Sequence, residues 1–368
     1  MTPRHAAFDA TDHAMMAHAL RLAERGAYTA RPNPMVGCII SRDGAIVGAG
    51  FHAHTGQPHA EVFALREAGD RARGATAYVT LEPCAHHGRT PPCADALIAA
   101  GIGRVVAAMR DPFPQVAGSG FDKLRAAGIE VASGLMEAQA RELNRAFLSR
   151  IERGRPWLRI KLAASLDGRT AMPDGESKWI TGEYARADVQ RWRARSGAIL
   201  TGAGTVLADD PALTARIDAG TPLAPPLRVV LDSRLRTLDR HRVREGDAPT
   251  LYLHAPETPV RAGVNAEFAA IPLRDGHLDL AAVLRLLAER GIGEAQVEAG
   301  PALSGAFLAG GLADEVLLYV APILLGETGK PLFAGLGVAS MEHRWRLAVV
   351  ERRRIGADER LRLRGITR

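Results

Sequence analysis

The stretch LSRIERGRPWLRIKLAAS, residues 148–165, divides the chain in two. A charged helix runs up to Gly154, a residue suited to closing a helix. Pro156 cannot continue that helix, and an apolar-alternating strand begins at Trp157. On both sides strands and helices alternate, which is the pattern of α/β units. The 368 residues suffice for two domains of ordinary size, expected at 1–154 and 155–368.

In the first half an amphipathic helix is expected over 14–25. Apolar runs at 36–40 and 45–49 flank the turn Arg42–Asp43–Gly44, a hairpin signal. A helix at 59–68, a strand at 75–80, a helix at 93–100 and a strand at 105–109 follow, and the alternation continues through 120–134. In the second half the pattern predicts strands near 157–163, 198–201, 227–231, 250–254, 294–298 and 315–321. Helices are expected near 183–196, 280–290 and 305–310. The segment 232–276 reads as irregular and turn-rich. No internal repeat or low-complexity segment is visible, so the two α/β domains are different ones.

The net charge is +6, but its basic residues are almost all Arg, spread along the chain without a dense block. That reads as a solvated, Arg-biased surface and argues against nucleic acid as the partner. Some of these arginines suit an anionic small molecule. Three cysteines do not make a disulfide framework. The first twenty residues hold no charged-then-apolar leader, and no apolar run is long enough to cross a bilayer. The expected location is the cytoplasm, with no membrane partner.

The chemistry concentrates in PHAEVFAL and TLEPCAHHGRTPPC. His59 and Glu61 stand at a predicted helix start, and Cys84 and Cys93 follow, the first behind Pro83. Two thiolates and an imidazole suit zinc, and three protein ligands leave a fourth position for water, the catalytic arrangement. Both cysteines are expected to precede helix starts, where thiolates are favoured. Glu61 is spare as a ligand and is the expected proton carrier between water, ring and leaving amine. Zinc nucleobase deaminases use Glu in this way with the signature H-x-E…P-C-x-x-C; here eight residues separate the cysteines instead of two. His-x-Glu alone is ordinarily surface decoration, and the ordered combination gives it weight. His86 and His87 follow Cys84 closely and read as pocket wall. His52 and His54 read as structural or pocket-lining, and Cys38 as a small buried hydrophobe.

With NPMVGC (33–38), HAEVFAL (59–65), TLEPCAHHGRTPPC (80–93) and DPFPQVAGSG (111–120), the chain resembles the bifunctional riboflavin-biosynthesis deaminase–reductases. KLAASLDGRTA (161–171), SKWIT (177–181), GAGTVLADDPALTAR (202–216) and VEAGPALSGAFL (297–308) extend the resemblance over nearly the whole chain. It implies an α/β fold: a cytidine-deaminase-like α/β/α domain, then a dihydrofolate-reductase-like domain. The first would hydrolyse the 2-amino group of 2,5-diamino-6-(5-phosphoribosylamino)pyrimidin-4-one, with one Zn2+ on His59, Cys84 and Cys93 and with Glu61 as proton donor. Asn33 would touch the pyrimidine, or only form its turn. The second would use NADPH to reduce the ribosyl group to ribityl.

By the same resemblance NADPH would contact Ala163, Trp179, Thr205, Asp209 and Ser233. The turn Gly300, Pro301, Ala302, Leu303, Ser304, Gly305 and Ala306 would hold its phosphates. Ser177, Arg193, Leu213, Arg216 and Glu298 would contact substrate, with Arg193 and Arg216 suited to a 5′-phosphate. Glu298 and Asp209 would orient ribose hydroxyls or cap helices. Lys161 and Asp167 belong to the shared motif without an assigned role. The family also implies a homo-oligomer. Two other readings stay open: a zinc deaminase of nucleosides or a tRNA base with an accessory C-terminal domain, and a nucleotide sensor or RNA binder with structural zinc. The longer cysteine spacing and the second half argue against the first, and the spare Glu61 against the second.

Overall fold

The computed structural model describes residues 8–85, 92–113 and 117–367, which form two compact units parting at Arg153 and Gly154. His86 and His87 lie outside the described residues. In the first unit the elements are α1 (Ala10–Ala23), β1 (Gly37–Arg42), β2 (Ala45–Phe51), α2 (Ala60–Ala68), β3 (Thr76–Val79) and α3 (Cys93–Ala99). They continue with β4 (Arg104–Ala107), α4 (Ser119–Ala126), β5 (Glu130–Ser133), α5 (Glu137–Leu143) and α6 (Arg145–Arg153). The sheet order is β2-β1-β3-β4-β5, with β3, β4 and β5 parallel and β1 antiparallel to both neighbours. The expected hairpin is present: Asp43 and Gly44 both have positive φ, as a two-residue turn of matching twist requires. α1 starts four residues before the amphipathic stretch because Asp9 and Asp12 close its first turn as a capping box.

Alternation along β1 splits the core. Cys38 and Ile40 face one side with Ala60, Ala64 and Ala68 of α2, and Leu97 of α3. Ile39 faces the other with Met16 and Ala19 of α1, and Phe147 of α6. Cys38 is thus a core residue whose thiol burial pushes well up, with the charge of Glu61 adding to the shift. α2 reaches the hairpin closely: a Cβ on Gly48 would overlap the Ala64 carbonyl, and one on Gly50 the Ala60 carbonyl. No other residue fits there without moving the helix.

The second unit comprises β6 (Trp157–Ser165), β7 (Arg169–Ala171), α7 (Glu183–Arg195), β8 (Ala198–Gly202), α8 (Ala203–Asp209), β9 (Leu227–Leu231) and β10 (Thr250–His254). Then come β11 (Glu267–Ala270), β12 (Leu273–Arg274), β13 (His277–Leu278), α9 (Leu280–Glu289), β14 (Glu294–Val297), α10 (Pro301–Ala309), β15 (Glu315–Ala321), β16 (Lys330–Pro331), β17 (Arg346–Ile355) and β18 (Asp358–Thr367). Nine strands form one sheet, β11-β10-β9-β8-β14-β6-β15-β18-β17, parallel except where β18 meets β15 and β17. The segment expected to be irregular thus holds, besides the foreseen β10, β11 and a short hairpin. α9 and α10 cover one face, and α7 and α8 the other.

Near β18 the core is ionic. Arg159, wholly buried on β6, pairs with Glu294 (2.6 Å) and Glu315 (2.7 Å), and Glu315 also accepts from Arg362 and Arg364. Trp192 of α7 lies against the guanidinium groups of Arg159, Arg360 and Arg362. Arg360 donates to Asp188, which also accepts from the Tyr319 hydroxyl. The buried charges are therefore paired, as burial requires.

Because β2 has no room for a side chain under α2, Gly50→Ala should destabilise the first unit by about 1–3 kcal/mol. Two unfolding transitions, followed by calorimetry, should show the first lowered and the second unchanged.

Candidate active sites

α2 is entered through His59, the residue at its N-cap position, and Glu61 follows within the first turn. Cys93 opens α3 behind Pro92, and the Ala94 N–H donates to the Cys84 carbonyl (3.1 Å). The result brings His59 Nδ1 to 3.2 Å from Cys93 Sγ and 3.6 Å from Cys84 Sγ, and the Cys93 N–H donates to Cys84 Sγ at 3.3 Å. All three ligand atoms lie within 4.8 Å of one another. Zinc bonds of ordinary length in a tetrahedron would put imidazole nitrogen and thiolate sulfur about 3.5 Å apart. The donor set fits the ion in chemistry and spacing. Cys93 has the expected helix start; around Cys84 the described residues 82–85 have no regular structure, and the expected helix behind it falls on 86–91, outside the described residues.

The electrostatics favour a cation. Hydrogen bonding from the Cys93 thiol, and then from His59 and the Cys93 N–H, outweighs burial and holds the Cys84 thiol down at about 4. Its partner Cys93 is pushed up by that same pairing and by burial, so ionising both thiols calls for a positive charge between them. The hydrogen bond with Cys84 raises His59. Glu61 is 3% exposed, and its Oε2 has no hydrogen-bond partner. Burial first, and the Cys84 charge second, push its carboxyl above the ordinary Glu value.

His52 is buried edge-on to His59 (ring centroids 5.5 Å), and its Nε2 meets the Asn33 side-chain nitrogen at 3.1 Å. Burial lowers the His52 pKa, which keeps its ring neutral. Asn33 also closes a turn through its N–H to the Ala30 carbonyl. Sequence reasoning passed over Glu82 in TLEPC. Its carboxylate accepts from the N–H groups of Asp111 (3.1 Å), Gly118 (3.0 Å), Gly120 (3.0 Å) and Phe121 (3.3 Å). An acid at an apolar strand end was the available signal.

In the second unit the adjacent strands β8 and β14 send α8 and α10 to opposite faces of the sheet. Such a switch leaves a crevice at the strand C-termini. The Gly300 N–H donates to Thr205 Oγ1 across it (3.3 Å). Ser233 lies just past β9 on the same edge, Ala163 is in the last turns of β6, and Asp209 closes α8. The helix expected from 305 begins at Pro301, with Gly300 as its cap, since Pro at the first position needs no N–H partner. Residues 300–306 are therefore mostly helix and not a turn. Ser304 and Gly305 are buried, Gly305 under the Ala334 carbonyl, which leaves Ala302 and Leu303 to present free first-turn N–H groups.

Two of the residues expected to contact substrate are also engaged within the protein. Arg193 is no free cation: its Nε and Nη2 donate to Glu298 at 2.7 and 2.8 Å, and its Nη1 to the Thr214 carbonyl at 2.9 Å. Leu213, 3% exposed, packs its side chain in the core with Ile199 and Val206. Glu298 caps no helix; Gln296 Nε2 also donates to it (2.9 Å). Burial opposes its ionisation, but the Arg193 charge and hydrogen bonds, and then Lys161, hold its carboxyl down at about 2. Lys161, on β6, has its own pKa lowered by burial and by Arg193. Arg216 remains exposed, donating to Thr214 Oγ1 (2.9 Å). Ser177 and the exposed Trp179, which carries Arg186 over its ring, lie on the loop before α7. Asp167 ties that edge together, accepting from Ser165 Oγ and from the N–H groups of Leu325 and Gly326.

A three-ligand zinc-type centre with a spare buried Glu, and a doubly wound crevice in a separate unit, define a two-part enzyme, deaminase followed by reductase. Two family models match accordingly: "Cytidine and deoxycytidylate deaminase zinc-binding region" over residues 9–109 and "RibD C-terminal domain" over 156–358. The riboflavin biosynthesis protein RibD of Escherichia coli K12 is 50% identical, with the alignment covering 96% of this chain and 99% of that one. Acinetobacter baumannii RibD superposes with a TM-score of 0.89 at 46% identity, covering 97% and 99%. A Thermotoga maritima structure described as a diaminohydroxyphosphoribosylaminopyrimidine deaminase/5-amino-6-(5-phosphoribosylamino)uracil reductase does so at 0.86 and 36%, covering 96% and 98%. The chain belongs to the RibD family, the bifunctional deaminase–reductases of riboflavin biosynthesis. No helix among the described residues is long and apolar enough to cross a membrane.

Arg193→Met should destabilise the second unit by about 3–5 kcal/mol at neutral pH, because it strands a buried carboxylate. In the wild type the pairing stabilises above the ordinary Glu range near 4.5 and is lost as pH falls toward 2. The difference between variant and wild type, read by urea unfolding, should therefore shrink in acid, where Glu298 of the variant takes up a proton.

Proposed function

We propose that residues 1–154 deaminate 2,5-diamino-6-(5-phosphoribosylamino)pyrimidin-4-one and that residues 155–368 reduce the ribosyl group of the resulting uracil. The observation that carries the first step is Glu61, buried with an oxygen unpartnered beside His59, Cys84 and Cys93. Those three residues would hold zinc, which when bound makes water a nucleophile near neutral pH. Glu61 takes the proton that water gives up as its oxygen attaches to the 2-carbon. It passes that first proton to the ring nitrogen, then takes the second proton from the hydroxyl now on the 2-carbon and gives it to the departing nitrogen, so that the carbonyl forms, the C–N bond breaks and ammonia leaves. Asn33, held by the neutral His52, lies beside the centre and orients the pyrimidine. Glu61 is almost wholly buried, which screens its proton exchange from bulk water.

In the second step Thr205, Asp209, Ser233 and Trp179 would hold NADPH, with its phosphates at the Ala302 and Leu303 N–H groups. The cofactor supplies a hydride, and the protein orients donor and acceptor. The opened sugar accepts hydride at the carbon bonded to nitrogen, and the oxygen released from that carbon needs a proton. Lys161, whose pKa is lowered first by burial and then by the Arg193 charge, would give it. Arg216 is the exposed cation suited to the substrate phosphate. The partners in this reading are small phosphorylated molecules.

Glu61→Ala should lower ammonia release by about 10²–10⁴-fold while NADPH oxidation on the already deaminated substrate continues. Loss of both activities in a folded, zinc-loaded variant would refute the two-site assignment. Ammonia from cytidine or adenosine, in place of the diaminopyrimidine phosphate, would refute the substrate.

A further inference from the structure

We infer that Glu82 is a positioning residue of the deaminase centre, acting on the Cys84 ligand through the chain segment around α4. The inference rests on the deaminase reading of that centre. α4 begins at Ser119 behind Gly118, which has φ of 89° and no side chain with which to cap the helix. Its first N–H groups are orphans that something else must satisfy. Glu82 does so from another part of the chain, taking Gly118, Gly120 and Phe121 onto one carboxylate, together with Asp111 ahead of the helix. Its negative charge also lies where the helix dipole favours an anion. With 4% exposure, the carboxylate makes these four bonds away from competing water.

Two residues after this anchor comes Cys84. Between them, Pro83 fixes the chain direction, and its carbonyl lies so near Gly120 that any side chain at position 120 would overlap it. Carboxylate and close contact together clamp 82–83 from the α4 side. From the other side the Cys84 carbonyl and Sγ are held by the N–H groups of Ala94 and Cys93. The described residues 82–85 around Cys84 have no regular structure, and among them this clamp holds the ligand, where Cys93 and His59 are held at helix starts. The motif DPFPQVAGSG, whose role the chemistry of zinc and substrate leaves open, contributes Asp111, Gly118 and Gly120 to the clamp.

The test is Glu82→Gln in the full chain, which keeps the volume but replaces an acceptor oxygen by a donor nitrogen facing backbone N–H groups. Expected are a loss of about 10–100-fold in zinc affinity, measured by chelator competition, or in deaminase kcat. KM should stay within about threefold, and NADPH-dependent reduction of the deaminated substrate should be unchanged. Gly120→Ala, whose methyl would overlap the Pro83 carbonyl and crowd the Glu82 side chain while keeping its carboxylate, should give the same split. It carries the decision if the Glu82 variant does not fold. Wild-type zinc affinity and kcat in the folded variant would overturn the inference, as would a rise in KM alone. If the wild-type enzyme itself neither held zinc nor released ammonia, the deaminase reading would fail instead.

Discussion

The deaminase centre depends on how closely α2 lies against the hairpin. Only bare backbone at Gly48 and Gly50 lets the helix settle on β2, and that contact sets the depth of its first turn. His59 enters at the cap, and Glu61 is drawn fully under cover. The burial that lifts the Glu61 carboxyl is therefore a property of two glycines in a strand that carries no chemistry. Cys93 is fixed by its own helix, and Cys84 reaches the same point by restraint from outside.

The two units place one buried glutamate each in opposite conditions. Glu61 is buried with one oxygen unpartnered and a thiolate nearby, and its carboxyl is pushed above the ordinary Glu value. Glu298 has a bidentate arginine, an amide and a lysine close by, so it stays an anion. Divergent environments thus push one residue type in opposite directions. The Arg193 guanidinium is largely occupied by that second acid, and Lys161 is left as the ionisable group whose protonation the pair can tune.

Much of this was legible in the chain. The hairpin was readable because Asp43–Gly44 fits one turn type, and the grouping of His59, Cys84 and Cys93 because His, Cys and Cys occur in order with a spare acid. The division at Gly154 and Pro156 follows from what those residues cannot do in a helix. Other features were not legible for physical reasons. The start of α10 was missed because an apolar run with two glycines looks like a turn, while Pro301 at the first position is in fact a helix signal. β18 was missed because its inward residues include Arg360, Arg362 and Arg364, whose partners Asp188 and Glu315 lie far off in sequence, and β17 because it is a largely exposed edge strand; a hydrophobic pattern cannot reveal a strand whose core face is charged. The pairing of Arg193 with Glu298, 105 residues apart, is invisible for the same reason. Glu82 likewise shows its function only when the N–H groups of α4 are placed around it.

The ionic core of the second unit has a bearing on how the protein is made. β18 leaves the ribosome after every other strand of the sheet, yet in space it lies between β15 and β17. Until it arrives, Glu315 lacks the arginines of β18, and β15 has one open edge. All the strands of the first unit, by contrast, have emerged by residue 133. The nascent chain thus carries a deaminase unit able to close early, trailed by a reductase unit with an open sheet edge of the kind that invites wrong pairing. Vectorial synthesis gives the two halves different exposure to chaperones and aggregation, although they share one polypeptide.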